Sequence, residues 1–246
     1  PLPTWLAFSS SSASLRPSSS ECGANERKAA PQDLFTDRIT MAQKLEFIFD
    51  FSSPYGYLGA TVTDQITAEF PELEVVWRPY LMGAAMKQTG IPALVEIPIK
   101  SRYVARDMIR SAERLGVPLT MPGNFPFKSV AVCRAFYAIE AEVGQPGAQA
   151  FARAAYSACF GRGRKITQTE VLAEAAAAAG SPAWAQDAAT LEPRLQDQDL
   201  KDHLRAVTDG LIARGCWGSP HFIVDEGEMF WGNDKRWELR AFLAGE

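Results

Sequence analysis

The order of elements along the chain predicts an α/β fold: a βαβ unit, an all-α insertion and a closing αββα unit. Three observations predict it. LEFIFDF (45–51) has an apolar, aromatic strand pattern and runs directly into a helix that opens on Ser53 and Pro54. LEVVWRPY (73–80) supplies a second strand right after that helix, and a βαβ unit implies parallel pairing with a right-handed crossover. Far downstream, Gly218–Ser219–Pro220 precedes strands at 221–225 and 228–231 and a helix from 233 to about 243. Between about 83 and 195 the pattern is helical only. Together these make a thioredoxin-like core, βαβ–αββα, over 44–82 and 196–246, with an α-helical insertion over 83–195.

Local signals justify each element. Ser53 is a good N-cap and Pro54 suits the first helical position of the helix over 53–70. In the insertion, 99–116 carries charge on one face and stops at Gly116 and Pro118. Residues 129–144 and 146–163 read as two apolar helices. Thr167 and Glu170 have capping-box spacing at the start of a helix that ends on Gly180. Ser181 and Pro182 read as another cap. A helix over 197–214 returns the chain to the core.

The first forty residues differ in character. SSSSASLRPSSS (9–20) is too poor in apolar residues to offset its ordering entropy. Residues 1–40 therefore read as a disordered or non-native extension, with Met41 as the expected natural start. Their mixed charges do not fit a transit peptide.

Composition excludes several function classes. A net charge of −4 gives no general reason to expect nucleic acid or an anionic membrane as partner. No apolar run approaches the roughly 20 residues that span a bilayer. Cys22, Cys133, Cys159 and Cys216 form no CxxC and no zinc-ligand spacing with a histidine, so no metal is expected. Sparse, unpatterned cysteine suits a reducing cytosol, which makes a cytoplasmic location the expectation.

The chemistry gathers at two segments. A helix N-terminus offers unpaired N–H groups and the positive end of the helix dipole, which stabilise a thiolate. Ser53 stands where a redox enzyme of this fold carries cysteine. A serine there can donate O–H to a bound sulfur and cannot form a mixed disulfide, so a bound thiol stays nucleophilic. Pro220 is expected to be cis, with the backbone N–H and C=O of Ser219 free to pair with an extended peptide. Asn233 and Asp234 open the last helix, where N–H groups could take a peptide carboxylate and Asp234 its ammonium. Taken alone, Ser53 and Asn233–Asp234 read first as ordinary helix caps. Their occurrence in the expected order favours a site.

With FDFSSPYGYL, WRPYLMGAAMKQTG, the Pro98–Ile99–Lys100 segment, Gly218–Ser219–Pro220 and FWGNDKRWEL in view, the chain resembles the 2-hydroxychromene-2-carboxylate isomerases, which are similar to kappa-class glutathione transferases. The resemblance runs from about 44 to 243. It implies glutathione as a cofactor-like thiol. Ser53 would hydrogen-bond its sulfur, and Ser219, at the Pro220 turn, would pair with its cysteinyl residue. Asn233 and Asp234 would hold its γ-glutamyl end, and Lys100 would meet a carboxylate. The implied reaction is reversible addition of the thiolate to a conjugated carbon, opening of a hemiketal ring, rotation and elimination to trans-o-hydroxybenzylidenepyruvate, a step of bacterial naphthalene breakdown. Three positions depart from the family pattern: His221 replaces a small hydroxyl residue, Ile91 an asparagine, and Gly56 a serine. His221 is expected to be a strand residue with a satisfied ring. Tyr55, Tyr57, Tyr80, Phe125, Phe127 and Trp231 are candidates to line an apolar pocket, with core packing as the alternative for each.

Three functions follow. The first is the isomerase, acting on a small aromatic substrate. The second is a glutathione transferase that conjugates electrophiles. The third is a non-catalytic module that binds peptides or thiols. The sequence leaves a homodimer open.

Overall fold

A computed structural model describes residues 44–225 and 227–246. The expected extension 1–40, the Met41 start and Cys22 lie outside the described residues. In order, the elements are β1 (Lys44–Phe49), α1 (Pro54–Glu69), β2 (Glu74–Pro79), α2 (Met82–Thr89), α3 (Pro98–Leu115), α4 (Val130–Tyr156), α5 (Thr169–Ala178), α6 (Ala188–Arg194), α7 (Gln198–Ala213), β3 (His221–Val224), β4 (Glu228–Trp231) and α8 (Arg236–Ala244). The fold is thioredoxin-like: a four-stranded mixed sheet in the order β2-β1-β3-β4, with β1 parallel to β2 and antiparallel to β3.

The sheet is buried on both faces because β1 and its neighbours carry apolar side chains on alternate sides. Leu45, Phe47 and Phe49 point into a core with α1 and α4, where Phe47 and Phe49 meet the edge of Trp77. Ile48 points the other way, into a smaller cluster with Tyr80, Leu211, Cys216 and Ile223. Glu46 shares that second face and is 3% exposed. It is paired there with Arg78 at 2.6 Å and Arg214 at 2.5 Å, as a buried charge requires.

The helices expected at 129–144 and 146–163 are two helical stretches of α4 divided by a non-helical Gly144, whose φ is +73°. The chain then finishes this segment in a π-turn at Ser157–Gly161. Local expectations fail at two later places. The capping box at Thr167 is not formed: Gln168 precedes α5, and the Thr167 hydroxyl accepts from Asn124 instead. Ser181 is not a cap either, because its hydroxyl is buried without a partner among the described residues. At Thr167 a bond from distant Asn124 replaces the local side-chain bond.

Candidate functional site

The site is assembled where α1 begins. Ser53, 5% exposed, has extended backbone angles, and its Oγ accepts from Gly56 N at 3.0 Å, so it does cap the helix. The same hydroxyl donates to the carbonyl of Ser219 at 3.1 Å. The Ser219–Pro220 bond is cis. Ser219 Oγ in turn accepts from Asp50 N at 3.0 Å, so the two loops are laced together. The Ser219 carbonyl already accepts one bond, from Ser53, and keeps its second lone pair. The N–H groups of Ser219 and of Tyr55, in the first turn of α1, have no partner among the described residues.

Two glycines make the approach of the loops feasible. A Cβ on Gly56 would stand 2.5 Å from Tyr156 Oη and 2.8 Å from Ser219 Oγ. A Cβ on Gly59 would stand 2.8 Å from the Pro220 ring. Gly56, which departs from the family pattern, is thus demanded by packing here.

Two groups hold the loop before the proline. The Gly218 carbonyl accepts from Tyr80 Oη at 2.7 Å and from His221 Nδ1 at 3.0 Å. His221 is fully buried, and burial pulls its pKa down to about 4, so the ring is neutral near pH 7 with Nδ1–H as donor. Its Nε2 has no partner among the described residues, so only half of the ring is satisfied.

Asn233 is buried, and Asp234 is exposed, on a 3₁₀ turn (Asn233–Lys235) that packs against α1. The Asp234 charge reaches the first turn of α1: burial first, then Asp107 and Asp234, raise the Tyr55 phenol pKa. Lys100 is exposed on the first turn of α3 and does not line the cavity beside Ser53.

That cavity measures about 840 Å³. It opens from Ser53 and Ser219 toward α2, the α2–α3 segment and the loop before α4. Of the aromatic candidates, Tyr55, Phe125, Phe127 and Trp231 line it. Tyr57 and Tyr80 are core residues instead, with their hydroxyls on the carbonyls of Pro118 and Gly218. Sequence reasoning missed Trp217, whose ring lies 4.0 Å from that of Trp231 at the rim. It also missed a second cis peptide on the wall, Phe125–Pro126, and Asp50.

Asp50 is 2% exposed and lines the cavity. Its Oδ1 accepts from Ser52 N and Ser52 Oγ, both at 2.7 Å, and its Oδ2 from Met82 N at 2.8 Å. Burial raises its pKa, opposed by the Ser129 hydroxyl and these donors. One carboxyl thus ties the β1–α1 loop to the starts of α2 and α4. Lying within the apolar strand pattern of 45–51, it gave no sign of this.

Disulfide chemistry is not available to the described residues. Cys133, Cys159 and Cys216 are free and buried. Burial pushes the Cys216 thiol up to about 11 and that of Cys159 to about 12. Among the described residues no group of three or more His, Cys, Asp or Glu side chains could hold a metal ion, and no helix is long and apolar enough to cross a membrane.

The family model for the DSBA-like thioredoxin domain matches residues 44–244. A 2-hydroxychromene-2-carboxylate isomerase of Sphingobium xenophagum is 30% identical over 205 residues, which cover 82% of this chain and 99% of that protein. Glutathione S-transferase kappa 1 of Rattus norvegicus is 27% identical over 209 residues, covering 82% of this chain and 91% of that protein. A solved 2-hydroxychromene-2-carboxylate isomerase superposes with a TM-score of 0.72 at 24% identity, covering 82% of this chain and 95% of that one.

Proposed function

Since the chain belongs to the DSBA-like thioredoxin family, in the group of 2-hydroxychromene-2-carboxylate isomerases and kappa-class glutathione transferases, we propose that it is a glutathione-dependent isomerase. On this reading it interconverts 2-hydroxychromene-2-carboxylate and trans-o-hydroxybenzylidenepyruvate in the cytoplasm, as part of aromatic catabolism of the naphthalene type. One observation carries the proposal: a serine, not a cysteine, caps α1 directly against the cis-Ser219–Pro220 loop.

The residues present fit glutathione. Unpaired N–H groups on Tyr55 and Ser219 flank the Ser53 hydroxyl, and they suit a thiolate and an extended backbone respectively. Asn233 and Asp234 lie beside the same helix start and would hold the γ-glutamyl end. Lys100 would serve a carboxylate from outside the cavity wall. When bound, glutathione supplies a thiolate that adds reversibly to a conjugated carbon of the substrate. The protein's part is to stabilise charge and to orient. Ser53 gives up its bond to the Ser219 carbonyl and turns its O–H toward the sulfur. The helix start adds its positive end, and Pro54 removes one N–H that would otherwise need a partner. The aromatic wall excludes water and holds a flat substrate.

The experiment is thiol accounting. Purified protein should isomerise 2-hydroxychromene-2-carboxylate only when glutathione is added, with the free-thiol pool unchanged. A thiol lost for every product molecule would instead identify a kappa-like transferase, the reading that the likeness to glutathione S-transferase kappa 1 favours. Binding without turnover would leave the thiol-binding module. Absence of both binding and turnover overturns the scheme.

A further inference from the structure

We propose that Tyr80 and His221 are positioning residues for the ligand: by holding the Gly218 carbonyl between them, they aim the Ser219 N–H at the ligand's peptide backbone and strengthen it as a donor. The proposal rests on the reading of this site as a glutathione site, and it assigns a task that Ser53, Asn233 and Asp234 do not perform.

One peptide unit links the two ends of the effect. The Gly218 C=O and the Ser219 N–H share a plane, and their bond is trans, so the two groups point in opposite directions. The carbonyl accepts from Tyr80 Oη at 2.7 Å and from His221 Nδ1 at 3.0 Å, and both side chains are fully buried. Both of its lone pairs are thus filled from the interior. The Ser219 N–H, on the opposite side of the plane, has no partner among the described residues, and Gly218 and Ser219 both line the cavity. With one donor the plane could still swing about that bond. Two donors from separate elements fix it, since Tyr80 follows β2 and His221 opens β3. Trp231 closes the third side, where a Cβ on Gly218 would collide with Trp231 Nε1. A carbonyl that accepts two bonds also draws density from its own amide, which makes the N–H a stronger donor.

The His221 ring carries a cost that shows which of its atoms matters. Its Nε2 is buried without a partner among the described residues, and the Trp217 and Trp231 rings lie 5.8 and 6.4 Å away. An apolar side chain in this place would avoid that cost. What an apolar side chain cannot supply is a donor to Gly218. A carbonyl oxygen cannot donate, so the hydrogen of that bond lies on Nδ1. Burial lowers the ring's pKa to about 4 and keeps Nε2 unprotonated near pH 7. Burial also raises the Tyr80 phenol pKa, so its O–H stays in place.

The test uses ligand-free protein and S-methylglutathione, an inert probe with no thiol to ionise. Wild type is compared with His221→Leu, Tyr80→Phe and His221→Asn. Leucine fills space and removes both the donor and the unpartnered nitrogen, whereas asparagine places an N–H near the position of Nδ1. In the ligand-free NMR spectrum the Ser219 amide nitrogen should move upfield in His221→Leu and Tyr80→Phe, as the Gly218 carbonyl loses a donor. It should stay near its wild-type position in His221→Asn. By calorimetry, each variant without its donor should bind S-methylglutathione about fivefold more weakly than wild type, the size of one weakened hydrogen bond, and His221→Asn within about twofold of it. The melting temperature of His221→Leu should stay within about 4 °C of wild type, which separates lost affinity from lost folding. Tyr80→Phe removes a single oxygen and keeps the test decisive if His221→Leu folds poorly. An unmoved Ser219 amide in both variants without a donor overturns the proposal, as does unchanged affinity in both. An equal loss of affinity in His221→Asn also overturns it, since the ring's volume would then be what matters. A wild type that binds no S-methylglutathione overturns the glutathione reading and the ligand's part of this proposal together. The amide shift, read without ligand, tells that failure from a failure of the pair to hold the plane.

Discussion

Behind Ser53, toward the Ser219–Pro220 loop, side-chain hydrogen bonds lace the two loops together, with the Ser219 N–H and His221 Nε2 left over among the described residues. Ser53, Asp50, Tyr80 and His221 each hold a named partner there, and Gly56 and Gly59 remove the side chains that would keep the loop away. In front of Ser53 the wall is looser. Ile91 is 49% exposed and Leu94 38%, and α2 buries only Ala85. The difference separates two tasks. A donor aimed at a thiolate works only if held within tenths of an ångström, so its supports are over-determined. Selection among ring-shaped substrates needs area, which a loosely packed wall can supply and vary.

Three tests sharpen or break this contrast, beginning with the largest effect on activity. Ser53→Ala removes the hydroxyl and keeps Pro54, the helix dipole and the N–H groups. Glutathione should still bind, while turnover should fall about 10²–10³-fold, the usual loss for one preorganised donor. The cap lost with it costs about 1 kcal/mol, measured separately by denaturation. Titration of thiolate absorbance should show a higher glutathione pKa in the variant, and an unchanged titration with an unchanged rate would reduce Ser53 to a helix cap.

The second is a paired comparison of glycines. Gly56→Ala drives a methyl into Tyr156 Oη and Ser219 Oγ, and Tyr156 is 1% exposed with no room to retreat. It should cost about 1–3 kcal/mol in urea unfolding. Gly83→Ala, on α2 at the cavity, meets nothing within 4 Å and should change stability by no more than about 0.5 kcal/mol. Equal costs at the two sites would mean that the two sides of Ser53 are packed alike.

The third concerns pH. The folded state holds His221 near a pKa of about 4, against the ordinary 6.5 expected once unfolded. Between those values the unfolded chain binds the extra proton, so stability is present above about 6.5 and is lost as pH falls toward about 4. Wild type should therefore show a steeper fall of melting temperature over that window than His221→Thr, which lacks the group. Parallel slopes would show that the buried ring has no such effect.

The sequence made the frame legible because the frame is written in local signals. Alternating apolar residues in 45–49, Ser53–Pro54 at a helix start and Gly116 at a helix end each act on the chain within a few residues. The proline turn at 218–220 was readable for the same reason. Asp50, Trp217 and the Phe125–Pro126 turn were not. Asp50 and Trp217 owe their places to partners on other elements, Met82 for Asp50 and Trp231 for Trp217.

By itself, then, the sequence determined the order of elements and the serine at the start of α1, since period, capping residues and proline geometry act over one turn of chain. Only the tertiary structure decided where the Ser53 hydroxyl points, which aromatic rings face the cavity, and that Thr167 forgoes its cap. Those outcomes depend on which distant groups come to compete for the same donor, acceptor or volume, and one chain read in order does not contain that competition.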